Sequence, residues 1–257
     1  MLYWKLDDAT GPAASDSSGN SRAGAYGGSF ILHQYGVEPT TFAAQFGASG
    51  AVSRVGMVQP GTSAWSVVWY ASYNVGATPT DTVVLSNGGA SGARGFEVHL
   101  NSSQQMYVKW WQTNALVTTT GNTTLPVWNR WWHSFAVTWN GTTGMALYVD
   151  GSSATNATSP LAMGTVQSTD TFAIIAGYPA VYSHVAYYDK LLSTADIAAI
   201  CGYRYDWPFG PMVNLTWPEP PAGGGGALSP SDPVVIDINT DLSELKGYVS
   251  RQYPTSS

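Results

Sequence analysis

Five polar and aromatic side chains in two neighbouring segments are the strongest candidates for binding chemistry. Glu97 and His99 alternate with apolar residues in GFEVHLN, and Tyr107, Lys109 and Trp111 do so in MYVKWWQ. In two adjacent strands all five would share one exposed face, because side chains alternate across a strand. Aromatic rings pack against the C–H faces of sugars, and polar groups hydrogen-bond their hydroxyls. The pattern predicts a glycan-binding patch, with a solvated or subunit-covered sheet face as the alternatives.

Motifs for catalysis are absent from the sequence. The four histidines, at positions 33, 99, 133 and 184, form no HExxH pair, no GxSxG segment precedes a helix, and no P-loop occurs. We therefore predict that the protein is not an enzyme.

Short segments of alternating polarity between Gly-, Asn-, Ser- and Thr-rich clusters predict an antiparallel β-protein. The candidate strands are LYWKL (2–6), SVVWYASY (66–73), TVVLS (82–86), GFEVHLN (95–101), MYVKWWQ (106–112), HSFAVTWN (133–140), MALYVDG (145–151), TFAIIAG (171–177) and SHVAYYD (183–189). Asp150-Gly151 is typical of a hairpin turn. One short helix is predicted from Ser193 to Cys201, where Ser193 and Asp196 form a capping box with Ile197 and Ile200 on one face.

The aromatic residues of the hairpin WWHSFAVTWNGTTGMALYVDG are predicted mainly to build the core. His133, Phe135, Val137 and Trp139 share a face, and they form the larger of the two sets in their strand. In the next strand Tyr148 should point away from the core. Trp139 is therefore interpreted as a core residue rather than a ligand platform.

Composition excludes several classes of partner. The net charge is -6, and the lysines and arginines are scattered singly, so no basic surface for nucleic acid is expected. No apolar run approaches the roughly 20 residues that a membrane-spanning helix needs. Cys201, the only cysteine, lies in the apolar segment AAICGY and is predicted to be buried.

The composition changes after Tyr203. Residues 204–233 are rich in proline and carry four consecutive glycines, which predicts an extended linker. Residues 234–257 contain four apolar residues at helical spacing that predict a docking segment: Leu242, Leu245, Tyr248 and Val249. The predicted organisation is a sandwich over 1–203, a linker over 204–233 and a docking segment over 234–257.

Three segments resemble laminin-G-like domains of the concanavalin A-like lectin/glucanase superfamily. WKLDDATGPAASDSSGNSRAGAYGG resembles the first strand and the loop that follows it, and WWHSFAVTWNGTTGMALYVDG resembles the W-H-x-x-x-V-T-(W/Y)-(D/N)-G…L-Y-V-D-G hairpin. HVAYYDKLLSTADIAAI resembles the closing strand and its L-S-x-x-x-I helix, and the three matches span residues 2 to 201 in family order. The resemblance implies an all-β, antiparallel two-sheet jelly-roll sandwich with one short C-terminal helix, here followed by an extended Pro/Gly-rich tail.

The resemblance also raises two questions of function. Many relatives bind calcium through loop carboxylates, and the matching segment offers Asp7, Asp8, Asp16 and Asn20 as oxygen donors. The alternative is that Asp16 and Asn20 only shape turns, and no other cofactor is expected. Sandwich glucanases carry E-x-D-x-x-E on one strand, and none of the four glutamates, at positions 38, 97, 219 and 244, begins that motif.

Two functional hypotheses follow. Met1 leads directly into LYWKL without an export signal, which is expected of a virion component such as a bacteriophage minor tail or capsid accessory protein. Such a protein would dock to other virion proteins through its tail, assemble in many copies or as a homo-oligomer, and present the sandwich to host polysaccharide. The alternative is a stand-alone or secreted carbohydrate-binding module of the lectin type.

Overall fold

Two eight-stranded antiparallel sheets and one helix form the described part of the chain. The computed structural model describes residues 1–37, 41–73, 81–89, 94–103, 105–112, 115–118, 132–158, 163–175, 177 and 179–202. The strands are β1 Leu2–Trp4, β2 Ala13–Ala14, β3 Gly24–Gly27, β4 Phe30–Tyr35, β5 Phe42–Phe46, β6 Ala51–Val55, β7 Trp65–Tyr73, β8 Thr82–Gly89, β9 Arg94–Leu100, β10 Met106–Gln112, β11 Ala115–Thr118, β12 His133–Trp139, β13 Gly144–Val149, β14 Ser152–Thr158, β15 Thr171–Ile175 and β16 Ala180–Tyr188. Helix α1 spans Thr194–Gly202. The predictions for residues 204–257, including the docking segment, lie outside the described residues.

The sheets have different strand orders. Sheet 1 runs β14-β13-β12-β7-β16-β5-β4, with β1 also paired to β16, and sheet 2 runs β11-β10-β9-β8-β15-β6-β3-β2. Because consecutive strands often lie in different sheets, the chain crosses repeatedly between the two layers. This architecture confirms the predicted all-β two-sheet sandwich with one short helix.

All nine predicted strands form, with small shifts at their ends. The first is shorter than predicted and stops at Trp4; Leu6 two residues later has a φ of 62°, a left-handed conformation that does not continue a strand. The last is longer and begins at Ala180. Seven further strands, β2 to β6, β11 and β14, were not predicted, because they are short or do not alternate clearly between apolar and polar residues.

The core lies between the sheets and is joined by aromatic pairs that cross from one layer to the other. Trp65 of sheet 1 stacks on Phe96 of sheet 2 with ring centroids 4.2 Å apart. The ring centroids of Trp110 in sheet 2 and Trp139 in sheet 1 are 6.2 Å apart. Trp139 is fully buried, and its indole N–H donates to the Gly61 carbonyl at 2.8 Å. The interpretation of Trp139 as a core residue is confirmed.

Helix α1 begins at the predicted capping box. The backbone N–H of Asp196 donates to the Ser193 hydroxyl at 3.1 Å, and the backbone N–H of Ser193 donates to the Asp196 carboxylate at 2.9 Å. These bonds satisfy two amide groups that the first turn cannot pair internally. The helix prediction is confirmed with a shift of one residue.

The helix covers part of the outer face of sheet 1. A second buried cluster joins it to strands β7, β12 and β13: Val68, Ala136, Tyr148, Leu192, Ile197 and Cys201. Tyr148 points away from the main core, as predicted, but is only 8% exposed because it lies in this cluster. The predicted burial of Cys201 is also confirmed. No helix among the described residues is long and apolar enough to span a membrane.

The turn at Asp150-Gly151 closes the β13–β14 hairpin as predicted. Both residues have positive φ, at 51° and 76°, the conformation of a tight two-residue hairpin turn. The Asp150 carboxylate also accepts the backbone N–H of Ser134 at 3.0 Å and contacts His133 Nδ1 at 2.7 Å. His133 therefore acts as a structural residue that ties strand β12 to the turn.

Candidate functional site

Glu97, His99, Tyr107 and Lys109 lie side by side on the outer face of sheet 2. In the β9–β10 register, Tyr107 is opposite His99 and Lys109 is opposite Glu97. Their neighbours in sequence point the other way into the core, as the alternation predicts. The structure therefore brings together four of the five residues of the predicted patch.

Asp81, which the sequence did not single out, joins these four residues. It directly precedes strand β8, and its Oδ1 atom accepts the Tyr107 hydroxyl at 2.5 Å while Oδ2 accepts Lys109 Nζ at 3.1 Å. Oδ1 also lies 3.1 Å from His99 Nδ1. We call Asp81, Glu97, His99, Tyr107 and Lys109 the outer-face cluster.

His99 stands between two carboxylates. Its Nδ1 contacts Asp81, and its Nε2 lies 2.9 Å from Glu97 Oε2. A neutral imidazole has one N–H, so it can donate to only one of the two, whereas the doubly protonated ring donates to both. The ring also stacks on Tyr107 with centroids 5.1 Å apart. These contacts leave His99 only 5% exposed, so the prediction that it lies on an exposed surface is wrong.

The charges of the outer-face cluster stabilise one another. Burial alone would raise the pKa of Asp81. Hydrogen bonds from Tyr107 and Lys109, together with the positive charge of Lys109, hold this pKa below its ordinary value. Burial would lower the pKa of Lys109, yet its hydrogen bonds to Tyr107 and Asp81 raise it. Burial and the hydrogen bond to Asp81 both raise the pKa of Tyr107. At neutral pH the cluster thus holds an ionised Asp81–Lys109 pair and a neutral phenol.

Trp111, the fifth residue of the predicted patch, is not an exposed platform. Its side chain points to the same side of sheet 2 as those of Tyr107 and Lys109 and is not part of the core between the sheets. Only 7% of it is exposed, however, so it presents almost no ring surface to a ligand. The prediction of an exposed Trp111 is therefore wrong, because alternation fixes the side of the sheet but not what covers it.

A second aromatic pair, also missed by the sequence analysis, lies at the β4–β5 edge of sheet 1. The rings of His33 and Phe42 are nearly parallel, with centroids 4.4 Å apart and an interplanar angle of 7°. Phe42 is 42% exposed. This pair belongs to the opposite sheet from the outer-face cluster and offers a natural control for binding experiments.

The calcium candidates of the first loop are largely occupied by hydrogen bonds. Asp16 Oδ1 accepts the backbone N–H groups of Tyr3 and Ser18, both at 3.0 Å. Its Oδ2 accepts the Ser18 hydroxyl at 2.9 Å and the backbone N–H of Arg22 at 2.7 Å. A carboxylate offers about four acceptor positions, so the bonds to Asp16 use them all.

The other three calcium candidates are placed differently. Asp8 accepts the Tyr26 hydroxyl at 2.8 Å and the backbone N–H of Ser15 at 3.1 Å. Asn20 donates to the Met1 carbonyl at 3.1 Å, and Asp7 is exposed. Over the ranges that the structure describes, no group of three or more His, Cys, Asp or Glu side chains could hold a metal ion. Calcium binding stays a prediction.

Asp16 is expected to give the fold a pH dependence. Burial would raise its pKa, but hydrogen bonds from Arg22, Tyr3 and Ser18 outweigh burial and hold the pKa well below the ordinary value. The carboxylate therefore contributes stability above the unfolded-state pKa near 3.9, and this contribution is lost as the pH falls towards the folded-state value. We expect Asp16→Asn to lower the free energy of unfolding by about 2 kcal/mol at pH 7.

The measurement is urea denaturation of both proteins at pH 7 and pH 3. The difference between wild type and Asp16→Asn should shrink at pH 3, where the wild-type carboxylate begins to lose its advantage. An equal difference at both pH values would show that the charge of Asp16 is unimportant.

Solved structures with this fold include two binding domains and one domain of an arabinanase. The binding domain of Paraclostridial mosquitocidal protein 1 matches with a TM-score of 0.64 and 10% identity, over 81% of this chain and 53% of that one. The binding domain of botulinum neurotoxin DC in complex with SialylT matches with a TM-score of 0.63 and 15% identity, over 79% of this chain and 51% of that one. A third match is domain 4 of AbnA, a GH43 extracellular arabinanase from Geobacillus stearothermophilus, in complex with arabinotriose. Its TM-score is 0.59 and its identity 15%, over 78% of this chain and 97% of that one. The chain spans about half the length of the toxin domains but nearly the whole arabinanase domain.

Sequence comparison identifies the family. No curated protein sequence matches the chain. A laminin-G family model, described as the concanavalin A-like lectin/glucanases superfamily, matches residues 47–198, which is more than half of the 257 residues. This range includes strands β6 to β16 and all residues of the outer-face cluster. The chain therefore belongs to the concanavalin A-like lectin/glucanases superfamily.

Proposed function

We propose that the protein is a non-enzymatic carbohydrate-binding module and that the outer-face cluster contacts the sugar. The observation that carries this proposal is the cluster itself, in which a half-exposed carboxylate, an amine and a phenol lie together on the outer face of sheet 2. Groups of this kind hydrogen-bond sugar hydroxyls, and the exposed part of the Tyr107 ring can pack against a pyranose face. The complexes of similar domains with arabinotriose and SialylT support the proposal.

The arrangement of the carboxylates supports a binding role over hydrolysis. A glycosidase holds its two carboxyl groups on either side of the scissile bond, with open space between them for substrate or water. Here the imidazole of His99 stands between Asp81 and Glu97 and contacts both. We therefore expect no release of reducing sugar from any polysaccharide that the protein binds.

Binding should depend on Tyr107 and not on the other exposed aromatic pair. Tyr107→Ala removes the ring and the hydroxyl that holds Asp81, so we expect affinity for a bound glycan to fall roughly tenfold or more, a loss of at least about 1.4 kcal/mol. Phe42→Ala removes an exposed aromatic ring from sheet 1, on the other sheet of the sandwich, and should leave the affinity unchanged. A glycan array finds a ligand, and titration calorimetry then compares the three proteins.

Denaturation curves accompany the titrations, because Tyr107→Ala must remain folded for the comparison to hold. If Phe42→Ala loses affinity and Tyr107→Ala keeps it, the binding site lies on the β4–β5 edge of sheet 1. If neither variant changes the affinity, the outer-face cluster is not the site.

The finer proposal places this module in a virion, as a bacteriophage tail or capsid accessory protein anchored by residues 204–257. Its support is the composition of the tail, with a Pro- and Gly-rich stretch followed by apolar residues at helical spacing. Light scattering on the full chain and on a chain ending at Tyr203 tests the tail as an assembly device. We expect an oligomer that becomes monomeric on truncation, and a monomer in both cases would contradict self-assembly through the tail.

A further inference from the structure

The outer-face cluster carries no net positive charge. Asp81 and Glu97 contribute two negative charges and Lys109 one positive charge. With a neutral His99 the sum is negative, and with a doubly protonated His99 it is zero. An anionic ligand would therefore gain no net attraction from the cluster in either state.

The one lysine of the cluster is already committed to a partner. Its Nζ atom lies 3.1 Å from Asp81 Oδ2 and 5.3 Å from the centre of the Tyr107 ring, and its side chain is only 20% exposed. The nearest cation in sequence on these strands, Arg94, uses Nε and one terminal nitrogen to bind the Asp170 carboxylate at 2.6 and 2.9 Å. Binding an acidic sugar here would require breaking an existing ion pair.

The Asp81 carboxylate, by contrast, still offers an acceptor position to a donor ligand. The Asp81 side chain is 50% exposed, and its carboxylate has about four acceptor positions. Tyr107 and Lys109 occupy two of them, and His99 contacts a third. At least one position therefore faces solvent, where a sugar hydroxyl can donate to it.

We infer that the outer-face cluster selects uncharged glycans and discriminates against glycans that carry carboxylate or sulfate groups. This inference rests on the proposed function and specifies its ligand class. Asp81 accepts hydrogen bonds from hydroxyl groups of a neutral sugar, whereas a carboxylate or sulfate at the same place would meet a like charge without a compensating cation.

The experiment uses the full chain and matched pairs of probes that differ in charge. The pairs are N-acetyllactosamine with its α2,3-sialylated form, and fully methyl-esterified polygalacturonate with unesterified polygalacturonate. We expect at least tenfold tighter binding of the uncharged member of each bound pair. Asp81→Asn keeps an acceptor oxygen of similar shape but removes the charge, so the ratio of affinities within a pair should fall towards one. Phe42→Ala is the control and should keep the wild-type ratio.

The outcomes separate this inference from the function on which it rests. Tighter binding of the acidic member of a pair would overturn the inference and leave the carbohydrate-binding role intact. A wild-type preference for the uncharged member that persists in Asp81→Asn would overturn the assignment of selectivity to the cluster. Failure to bind any glycan, on these pairs and on an array, would overturn both the proposed function and the inference.

Discussion

Replacing Gly95 with alanine is expected to lower the free energy of unfolding by about 4 kcal/mol, through backbone strain and steric overlap together. Gly95 lies in β9, two residues before Glu97, and has a φ of 79°. An added Cβ would stand 1.9 Å from the Asn87 carbonyl oxygen and 2.9 Å from a methyl group of Val166. The carbonyl is backbone of the adjacent strand β8, so it cannot move without disturbing the β8–β9 ladder.

This steric conflict also bears on the proposed function. The β8–β9 register places Val83 opposite His99 and Ser86 opposite Glu97, and thereby sets where Asp81 meets the rest of the cluster. A shift of β9 relative to β8 would carry His99 away from Asp81, its partner at the start of β8. Gly95→Ala should therefore weaken glycan binding as well as stability, even under conditions where the variant stays folded.

Gly19→Ala is the matched control for this experiment. Gly19 has nearly the same φ, 78°, but an added Cβ there meets nothing within 4 Å. Its replacement should cost only the conformational strain, about 1 kcal/mol. Urea denaturation of both variants then separates strain from steric overlap. If the two variants lose equal stability, the close approach of β8 and β9 at Gly95 is not a constraint on the fold.

The limits of sequence reasoning are clearest at the outer-face cluster. Period-two alternation placed Glu97, His99, Tyr107 and Lys109 on one face, because that information is local to two strands joined by a short turn. Asp81 could not be found in this way. It lies 26 and 28 residues before its partners Tyr107 and Lys109, and its position depends on the β8–β9 pairing and on a bulge between Val83 and Leu85.

Burial is the property that alternation predicts least well in this chain. Alternation puts Ser134, Ala136 and Thr138 on the face of β12 opposite the core set, yet all three are buried. Ala136 packs in the cluster with Ile197 and Cys201 of helix α1, and the Ser134 hydroxyl donates to the Cys201 carbonyl at 3.4 Å. The helix itself could be predicted from its capping box, but its docking site depends on contacts between residues far apart in sequence. Side-chain direction is a local property, whereas exposure is a property of the whole fold.

Trp111 provides the second large effect, and it tests this distinction directly. We expect Trp111→Ala to lower the free energy of unfolding by about 3 kcal/mol, because deleting a buried indole removes its packing and leaves a cavity. With 7% of the residue exposed, the indole contributes to stability rather than to a binding surface. Urea denaturation measures the loss, and Trp111→Phe should recover part of it by filling some of the same volume.

Comparison with Tyr107→Ala determines which of these neighbouring outward residues serves the ligand. Tyr107 is half-buried and bonded to Asp81, so its replacement should affect binding more than stability. Trp111→Ala should show the reverse, with the folded fraction binding glycan at nearly wild-type affinity. If Trp111→Ala instead keeps its stability and loses binding, the indole must become exposed to contact sugar. The ligand surface would then extend along β10 from Tyr107 to Trp111, as the sequence pattern first suggested.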